Sequence, residues 1–255
     1  MYGDFEMKAI DLTQPWGIQT APWPGGVSPQ IKYVNRISSD GYSQQEITYT
    51  THTGTHLDGP LHFDPAGRDL ASLPMSKLFG EGVVVDISEV GPYAIYKPSD
   101  FIDKVEIRKG DILLVNTGFH KHWHTGPNPD EVAYFAKHPG PHFEFRDWCI
   151  KMEFKWLGFD CGSADHPMNT YLRELLPLVA KQATKKLGKP LKEIFPPEMD
   201  HMMHTLFKKP YEMIHVENLG GEIDSILNTR VLVGCFPLKT IGGESSPCRV
   251  VAFKK

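Results

Sequence analysis

Three histidines and an aspartate, at His52, His56, Asp58 and His62, fall within eleven positions of this 255-residue chain. All four positions are even, so an extended backbone would direct their side chains to one face. In a straight strand the alpha carbons of His52 and His56 would lie about 13 Å apart, too far for shared ligation. Gly54 is where such a strand can bend. We therefore predict a bent edge strand or strand-loop that gathers His52, His56 and Asp58.

The residue types in this stretch indicate a metal site with an open position. Imidazoles and a carboxylate suit a divalent ion such as Zn²⁺ or Mn²⁺, and three protein ligands leave room for water. His62 follows Asp58 by four residues and is placed to move a proton to or from that water. The alternative is a set of ordinary surface or core side chains. A lone histidine would favour that alternative, whereas four ionisable residues of one parity favour the metal site.

The stretch HTGTHLDGPLH at residues 52–62 resembles the HxGTHxDxPxH signature of the metal-dependent cyclase family. Members of that family include bacterial kynurenine formamidase, isatin hydrolase and certain dienelactone hydrolases. The resemblance continues in GFDCGSADHP, where Asp160, Ser163 and Asp165 match a GIDxxSxD turn. From residues alone, a capping or turn-fixing role is the more common one for these aspartates. The resemblance implies a swivelling β/β/α fold and homo-oligomers, either dimers or tetramers.

A second metal position is implied by the same resemblance near residues 201–217. The family places a histidine in a short helix before a strand that ends in glutamate-asparagine-leucine. His204 and Glu217 match this pattern best, while His201 and His215 are competing candidates. If His204 and Glu217 approach Asp58, its carboxylate could bridge two ions. The alternative is a structural Glu217 paired with a nearby lysine or arginine.

Two tryptophans lie in a loop rich in proline and glycine that precedes the metal stretch. Trp16 and Trp23 either plug the end of a sheet or form an aromatic wall for a flat substrate. The APWPGG sequence around Trp23 resembles a formamidase loop whose tryptophan lines the substrate pocket, although Gly26 replaces an aspartate. We therefore expect Trp23, and with it Trp16, to contact the substrate.

The elements around these motifs predict an α/β fold, a single domain over residues 1–255 with a mixed sheet and more strand than helix. Residues 143–157 have the helical spacing of one apolar face, and a helix at 170–187 should be interrupted at Pro177. Apolar, β-branched runs bounded by glycine indicate buried strands. Strands are predicted at residues 8–13, 31–37, 45–51, 82–88, 109–118, 229–239 and 245–255.

Residues 119–148 give the least regular pattern. The segment contains several prolines and aromatic residues, together with His120, His122, His124, His138 and His142. A second metal site is one reading, but no carboxylate accompanies these histidines at ligand spacing. Long segments without clear structure are often functional, so we predict a flexible lid or pocket rim.

Composition argues against several classes of partner. A net charge of −4 with 23% charged residues gives no reason to expect nucleic acid or an anionic membrane. No apolar run approaches membrane-spanning length, and MYGDFEMKAIDLT lacks a signal-like apolar core. Four scattered cysteines without a CxxC pair fit reduced thiols. We expect a cytoplasmic protein that acts on a small molecule.

Together these features predict metal-assisted hydrolysis of an amide, such as an aryl formamide or a cyclic amide like isatin. One or two ions of Zn²⁺ or Mn²⁺ would serve as cofactor. The sequence has no GxSxG elbow and no recognisable cysteine nucleophile, which argues against covalent catalysis. A dienelactone-type hydrolase, a dehydrating cyclase and a metal-binding module without turnover are the alternatives.

Overall fold

A mixed sheet that closes on itself forms the centre of the computed structural model, which describes residues 7–254. The strands of residues 7–254 are β1 (Lys8–Asp11), β2 (Gln30–Asn35), β3 (Gln44–Thr48), β4 (His56–Asp58), β5 (Phe79–Asp86), β6 (Ile95–Tyr96), β7 (Ile112–Asn116), β8 (Gly140–Pro141), β9 (Trp156–Phe159), β10 (Ile214–Glu217), β11 (Thr229–Pro237) and β12 (Ser245–Lys254). In the closed sheet they follow one another in the order β12, β11, β5, β7, β9, β10 and β4, and β4 pairs back onto β12.

The long strand β12 closes the sheet. Its first residues, 245–247, pair with β4, and residues 248–254 continue along β11, with β1 on the other edge. The pairs β5–β7, β7–β9 and β9–β10 are parallel, whereas β4, β11 and β12 make antiparallel pairs. The sheet is therefore mixed, as the sequence predicted.

Two apolar cores lie on opposite faces of this sheet. Leu114 and Trp156 belong to one core, and their chain neighbours Leu113 and Leu157 belong to the other. This alternation explains why β7 reads as a continuous apolar run, because a strand buried on both faces has no polar side. Phe145, in the helix that spans Phe143–Met152, packs into the second core.

Helices cover the outer face, and residues 7–254 contain less α-helix than strand. Pro177 begins a new helix after a break, because it lacks the N–H that would continue the preceding one. No helix within residues 7–254 is both long and apolar enough to cross a membrane. The helices are α1 (Ile37–Asp40), α2 (Met75–Leu78), α3 (Ser99–Ile102), α4 (Glu131–Ala136), α5 (Phe143–Met152), α6 (Leu172–Leu175), α7 (Pro177–Leu187) and α8 (Leu191–Ile194).

The histidine-rich segment 119–148 packs against the body of the fold through its aromatic residues, which supports the pocket rim of the two predicted roles, a flexible lid or a pocket rim. Trp123, Tyr134 and Phe135 form a buried aromatic cluster, and His138 is fully buried. Aromatic contacts of this size hold the segment against the body of the protein. Phe135 nevertheless reaches the pocket described below, so the segment contributes to a pocket rim.

Candidate functional site

Strands β4 and β10 bring four polar side chains together on one face of the sheet. Their antiparallel register places His56 opposite Glu217 and Asp58 opposite His215. Leu57, between the two β4 residues, packs into the opposite apolar core. Directly opposed residues have Cβ atoms about 5 Å apart, so the register alone assembles a compact ionisable cluster.

The turn before β4 carries His52 back toward this cluster. Gly54 adopts φ +73°, a left-handed conformation that favours glycine, and a Cβ there would lie 2.6 Å from Trp16. The Gly54 carbonyl accepts a hydrogen bond of 2.8 Å from His56 Nδ1. Because a carbonyl only accepts, His56 Nδ1 carries the proton and Nε2 keeps its lone pair. The bend predicted at Gly54 is present, and it leaves one imidazole ready to act as a ligand.

Three ligand atoms converge beside this turn. His52 Nδ1 lies 2.9 Å from Asp58 Oδ1, and His56 Nε2 lies 3.3 Å from both of these atoms. Within residues 7–254, neither buried oxygen of Asp58 takes part in a hydrogen bond of acceptable geometry. Ligands about 2.1 Å from a tetrahedral ion lie about 3.4 Å apart, which fits this triangle. His52, His56 and Asp58 can therefore hold a metal ion.

The cluster is rich in negative charge. Burial alone would lower the pKa of His52, but the Asp58 and Glu244 carboxylates raise it to about 11. Burial and the nearby charge of Asp58 raise the pKa of Glu217 well above its ordinary value. Carboxylates buried this closely need a cation beside them, which agrees with the donor set of a divalent metal site.

His204 and Glu217 approach the same cluster from the other side. His204 lies in a short 3-10 turn and places Nε2 3.9 Å from Glu217 Oε1, while Glu217 Oε2 lies 3.7 Å from His56 Nε2. His204 Nδ1 donates to Asp165 Oδ2 at 2.6 Å, which leaves Nε2 as the free nitrogen. Asp58, His62 and His204 also form a group of possible ligands. The structure thus brings together the residues predicted for a second ion.

His62 reaches the site by a different route from the one predicted. Instead of continuing the β4 strand face, it lies in a 3-10 turn that spans Pro60–His62. Proline fixes its own backbone and ends the strand, so the even-number parity stops at Asp58. His62 Nδ1 lies 2.9 Å from Glu244 Oε2, and its ring centre lies 4.2 Å from that of His52.

The competing candidates His201 and His215 occupy different positions. His201 lines the pocket and pairs with Asp200 at 3.1 Å. His215 is fully buried beneath His204 and Phe207, and neither of its ring nitrogens has a partner among residues 7–254. His204 is therefore the histidine of this group that faces Glu217.

A cavity of about 330 Å³ opens beside the cluster. Aromatic side chains from distant parts of the chain form much of its wall: Trp23, Phe63, Phe135 and Tyr171. The Trp23 ring makes edge contacts with Phe135 and with Tyr171. Ligand atoms at the floor and apolar rings at the wall are typical of a small-molecule site.

Trp16 lies outside this pocket, which corrects its prediction as a substrate contact. Its indole Nε1 donates to the Thr53 carbonyl at 3.2 Å, and its ring packs against Tyr49 and beneath Gly54. Trp16 therefore supports the turn that carries His52, as a large amphipathic side chain in a loop can.

The sequence reasoning missed several residues of the site. Glu244 belongs to the turn before β12 and contacts both His52 and His62, although nearly two hundred positions separate it from them. Its only local signal is an acidic residue at the end of a Gly-Gly turn. Phe63, Phe135 and Tyr171 carry no signal beyond being aromatic, because their place in the wall depends on packing between distant segments.

Comparison with known proteins agrees with this architecture. A kynurenine formamidase of Bacillus cytotoxicus is 25% identical over 163 residues, which cover 62% of this chain and 72% of that enzyme. A kynurenine formamidase of Salinibacter ruber is 34% identical over 88 residues, 34% of this chain and 42% of that protein. In two Bacillus formamidases the match spans about half of their length.

Solved structures share the fold over nearly the whole chain. Isatin hydrolase A from Labrenzia aggregata has a TM-score of 0.74 at 19% identity, covering 97% of this chain and 93% of that one. Isatin hydrolase A from Ralstonia solanacearum has the same TM-score and identity, covering 98% and 92%. The sequence model of the Cyclase family matches residues 10–166, which include the HTGTHLDGPLH stretch. With more than half of the chain matched, this protein belongs to the Cyclase family.

Proposed function

We propose that this protein is a metal-dependent hydrolase that cleaves an amide C–N bond of an aryl formamide or a cyclic amide. The observation that carries the proposal is the triangle of His52, His56 and Asp58 at the floor of an aromatic pocket. The kynurenine formamidase and isatin hydrolase relatives support the same chemistry. We propose that residues 1–255 form one hydrolase domain.

His52, His56 and Asp58 would hold the first divalent ion, Zn²⁺ or Mn²⁺. His204 and Glu217 would hold a second one, with Asp58 between the two positions. A bound ion of this kind lowers the pKa of water and polarises a carbonyl oxygen. Asp165 fixes the ring orientation of His204, as carboxylates commonly do for histidine ligands.

His62 would transfer the proton from water to the leaving nitrogen. Its Nδ1 is engaged with Glu244, which leaves Nε2 to exchange a proton. Its side chain is one-quarter exposed and lines the pocket, so a substrate can reach it. The neighbouring rings of Phe63 and Phe207 limit the positions that the imidazole can take.

The aromatic wall favours a flat substrate. The Trp23 ring makes edge-to-face contacts with Phe135 and with Tyr171, so packing around Trp23 holds the wall together. An aryl ring placed against Trp23 would direct its amide carbonyl toward the cluster of Asp58 and His56.

The proposal is tested by metal analysis followed by assays of the loaded protein on N-formylkynurenine, isatin and a dienelactone. We expect one or two divalent ions per chain and hydrolysis of one of the two amides. His62→Ala should keep the ions and lose hydrolysis, because only the proton carrier is removed. Full activity in this variant would contradict the role of His62, and hydrolysis of the lactone alone would contradict the amide assignment.

We also propose that the protein is a cytoplasmic homo-oligomer, a dimer or tetramer. The hairpin β2–β3 supports this, because a two-stranded ribbon is only marginally stable alone. Its register pairs Ile31 with Ile47 on one face and Lys32 with Glu46 on the other. Ile47 and Tyr33 are each 46% exposed within residues 7–254. An apolar face of this kind can pair with the same face of a second copy.

Light scattering coupled to gel filtration tests the assembly. Ile47→Glu should reduce the molar mass toward that of one chain, since the charge would lie in the apolar face. Glu46→Gln, on the opposite face, is the matched control. An unchanged mass in Ile47→Glu would remove the hairpin from the interface. Buried free thiols at all four cysteines support the cytoplasmic assignment, which cell fractionation would test.

A further inference from the structure

The Glu244 side chain contacts two histidines of the site, His52 and His62, to which we assign different roles. Its Oε2 lies 2.8 Å from His52 Nε2 and 2.9 Å from His62 Nδ1. Thr51 Oγ1 donates to the other oxygen, Oε1, at 2.5 Å. One carboxylate therefore contacts both a histidine of the metal triangle and the histidine that we assign to proton transfer.

The backbone around Glu244 is held in place by the segment that follows β4. The Glu244 carbonyl accepts from Gly59 N at 2.8 Å, and the Gly243 carbonyl accepts from Leu70 N at 3.0 Å. The Asp69 carboxylate accepts from Gly242 N at 2.7 Å. These hydrogen bonds fix the backbone position from which the Glu244 side chain extends toward His52 and His62.

The contact with His52 determines which ring nitrogen is free. A carboxylate at this distance accepts a hydrogen bond, so His52 Nε2 keeps its proton and Nδ1 is the nitrogen that would give up its proton to bind a metal ion. Nδ1 is the atom that points at Asp58 and His56. His52–Glu244 has hydrogen-bond geometry, whereas the close approach of His52 to Asp58 does not. The two sides of one ring are thus distinguished as a hydrogen-bonding side and a ligand side.

The same oxygen of Glu244 also lies at ion-pair distance from His62 Nδ1. With Nδ1 beside the carboxylate, the other nitrogen of His62 is left for the substrate or for water. Glu244 is about one-third exposed at its side chain, so it lies at the pocket edge rather than deep in the core. No other carboxylate within residues 7–254 lies within ion-pair distance of His62.

We propose that Glu244 is a positioning residue that fixes His52 as a metal ligand and His62 as a proton carrier at the same time. The role given to His62 rests on the proposed function. The role given to His52 concerns metal binding alone, which needs no substrate. A carboxylate behind a histidine ligand commonly contributes 10–100-fold to metal affinity or activity. One substitution at Glu244 should therefore weaken both metal affinity and turnover.

The test compares wild-type protein with Glu244→Ala and Glu244→Gln, using Zn²⁺ and a competing chelator. Glu244→Ala should raise the dissociation constant for Zn²⁺ by about 10–100-fold with unchanged stoichiometry at saturating metal. Glu244→Gln should recover most of this affinity, because its amide oxygen still accepts from His52. Asp147→Asn, whose carboxylate pairs with Arg146 at the surface, is the control and should match the wild type.

The second readout is turnover at saturating metal. In both Glu244 variants kcat should fall while KM stays close to that of the wild type, because His62 loses its charged partner. Wild-type affinity and wild-type kcat in Glu244→Ala would overturn the inference. Loss of one bound ion in Glu244→Gln would also overturn it, since Glu244 would then be a ligand itself.

Failure of the proposed function has a different signature. If the loaded wild type hydrolyses no amide, the affinity comparison still tests the His52 half of the inference. Thr51→Val provides a milder variant in case Glu244→Ala does not fold. Because Thr51 donates to the carboxylate, a several-fold weakening of Zn²⁺ binding is expected in Thr51→Val. Unchanged binding in this variant would contradict the inference.

Discussion

Asp58 and Asp160 are both fully buried aspartates next to histidines, yet their surroundings differ. Asp160 accepts hydrogen bonds from Thr117 N, Thr117 Oγ1, Gly118 N and His120 Nδ1, all between 2.6 and 2.8 Å. Within residues 7–254, Asp58 has no hydrogen bond of acceptable geometry to either oxygen. The turn after β7 satisfies Asp160, whereas the site beside β4 leaves the lone pairs of Asp58 available.

This difference separates a structural carboxylate from a ligand. A buried carboxylate is stable when donors surround it and costly when they are missing. Asp160 therefore fixes the backbone of residues 117–120, in agreement with the turn-fixing role that its sequence context favoured. Burial and neighbouring histidines alone do not identify a metal site. The informative observation is which oxygen atoms remain without donors.

The largest effect is expected for Asp58→Ala. Removing this ligand should abolish tight metal binding and reduce kcat/KM by about a thousandfold or more, since a bound ion supplies several kcal/mol of transition-state stabilisation. Metal analysis and steady-state kinetics measure the two quantities. The comparison would fail if Asp58→Ala kept both its ion and its activity.

Asp160→Ala should show the opposite pattern. Loss of a buried carboxylate with this many donors should lower the free energy of unfolding by about 3–5 kcal/mol. Urea denaturation of the apo protein measures this change, and Asp160→Asn should retain part of the stability. Zn²⁺ affinity of the folded fraction should stay near that of the wild type. A metal-binding defect without a stability defect would place Asp160 in the functional site.

A smaller effect is expected from His138, a buried histidine without a carboxylate partner. Burial lowers the pKa of His138 to about 4, so it stays neutral in the folded state, whereas an unfolded histidine titrates near 6.5. The unfolded state then binds more protons between these values, and stability should fall as the pH decreases from about 6.5. The contribution at about pH 5 is on the order of 2 kcal/mol.

His138→Asn should flatten this part of the stability profile, because asparagine can still donate to the Pro139 carbonyl but does not titrate. Denaturation series at several pH values measure the slope. His122→Asn, at a more exposed position of the same segment, is the control. An unchanged slope in His138→Asn would show that other groups carry the acid sensitivity.

The sequence predicts the metal ligands better than it predicts the residues of the pocket wall. The density of His52, His56 and Asp58 within a few positions, with Gly54 between them, was enough to predict a bent ligand-bearing stretch. His204 and Glu217 followed from the family pattern. A loop tryptophan such as Trp16 can either support a turn or face a ligand, and the local sequence does not distinguish these two roles, so its support of the turn at Thr53 is visible only in the structure.

What the sequence determined by itself was local: the ligand types, the glycine at the bend, the break at Pro177 and the continuous apolar run of β7, which indicates a strand buried on both faces. These features follow from short-range geometry and residue chemistry. The tertiary structure decided which distant groups meet them. The β4–β10 register set Glu217 opposite His56, and closure of the sheet through β12 brought Glu244 to His52 and His62. Such contacts depend on strand pairing over long separations, which no local pattern encodes.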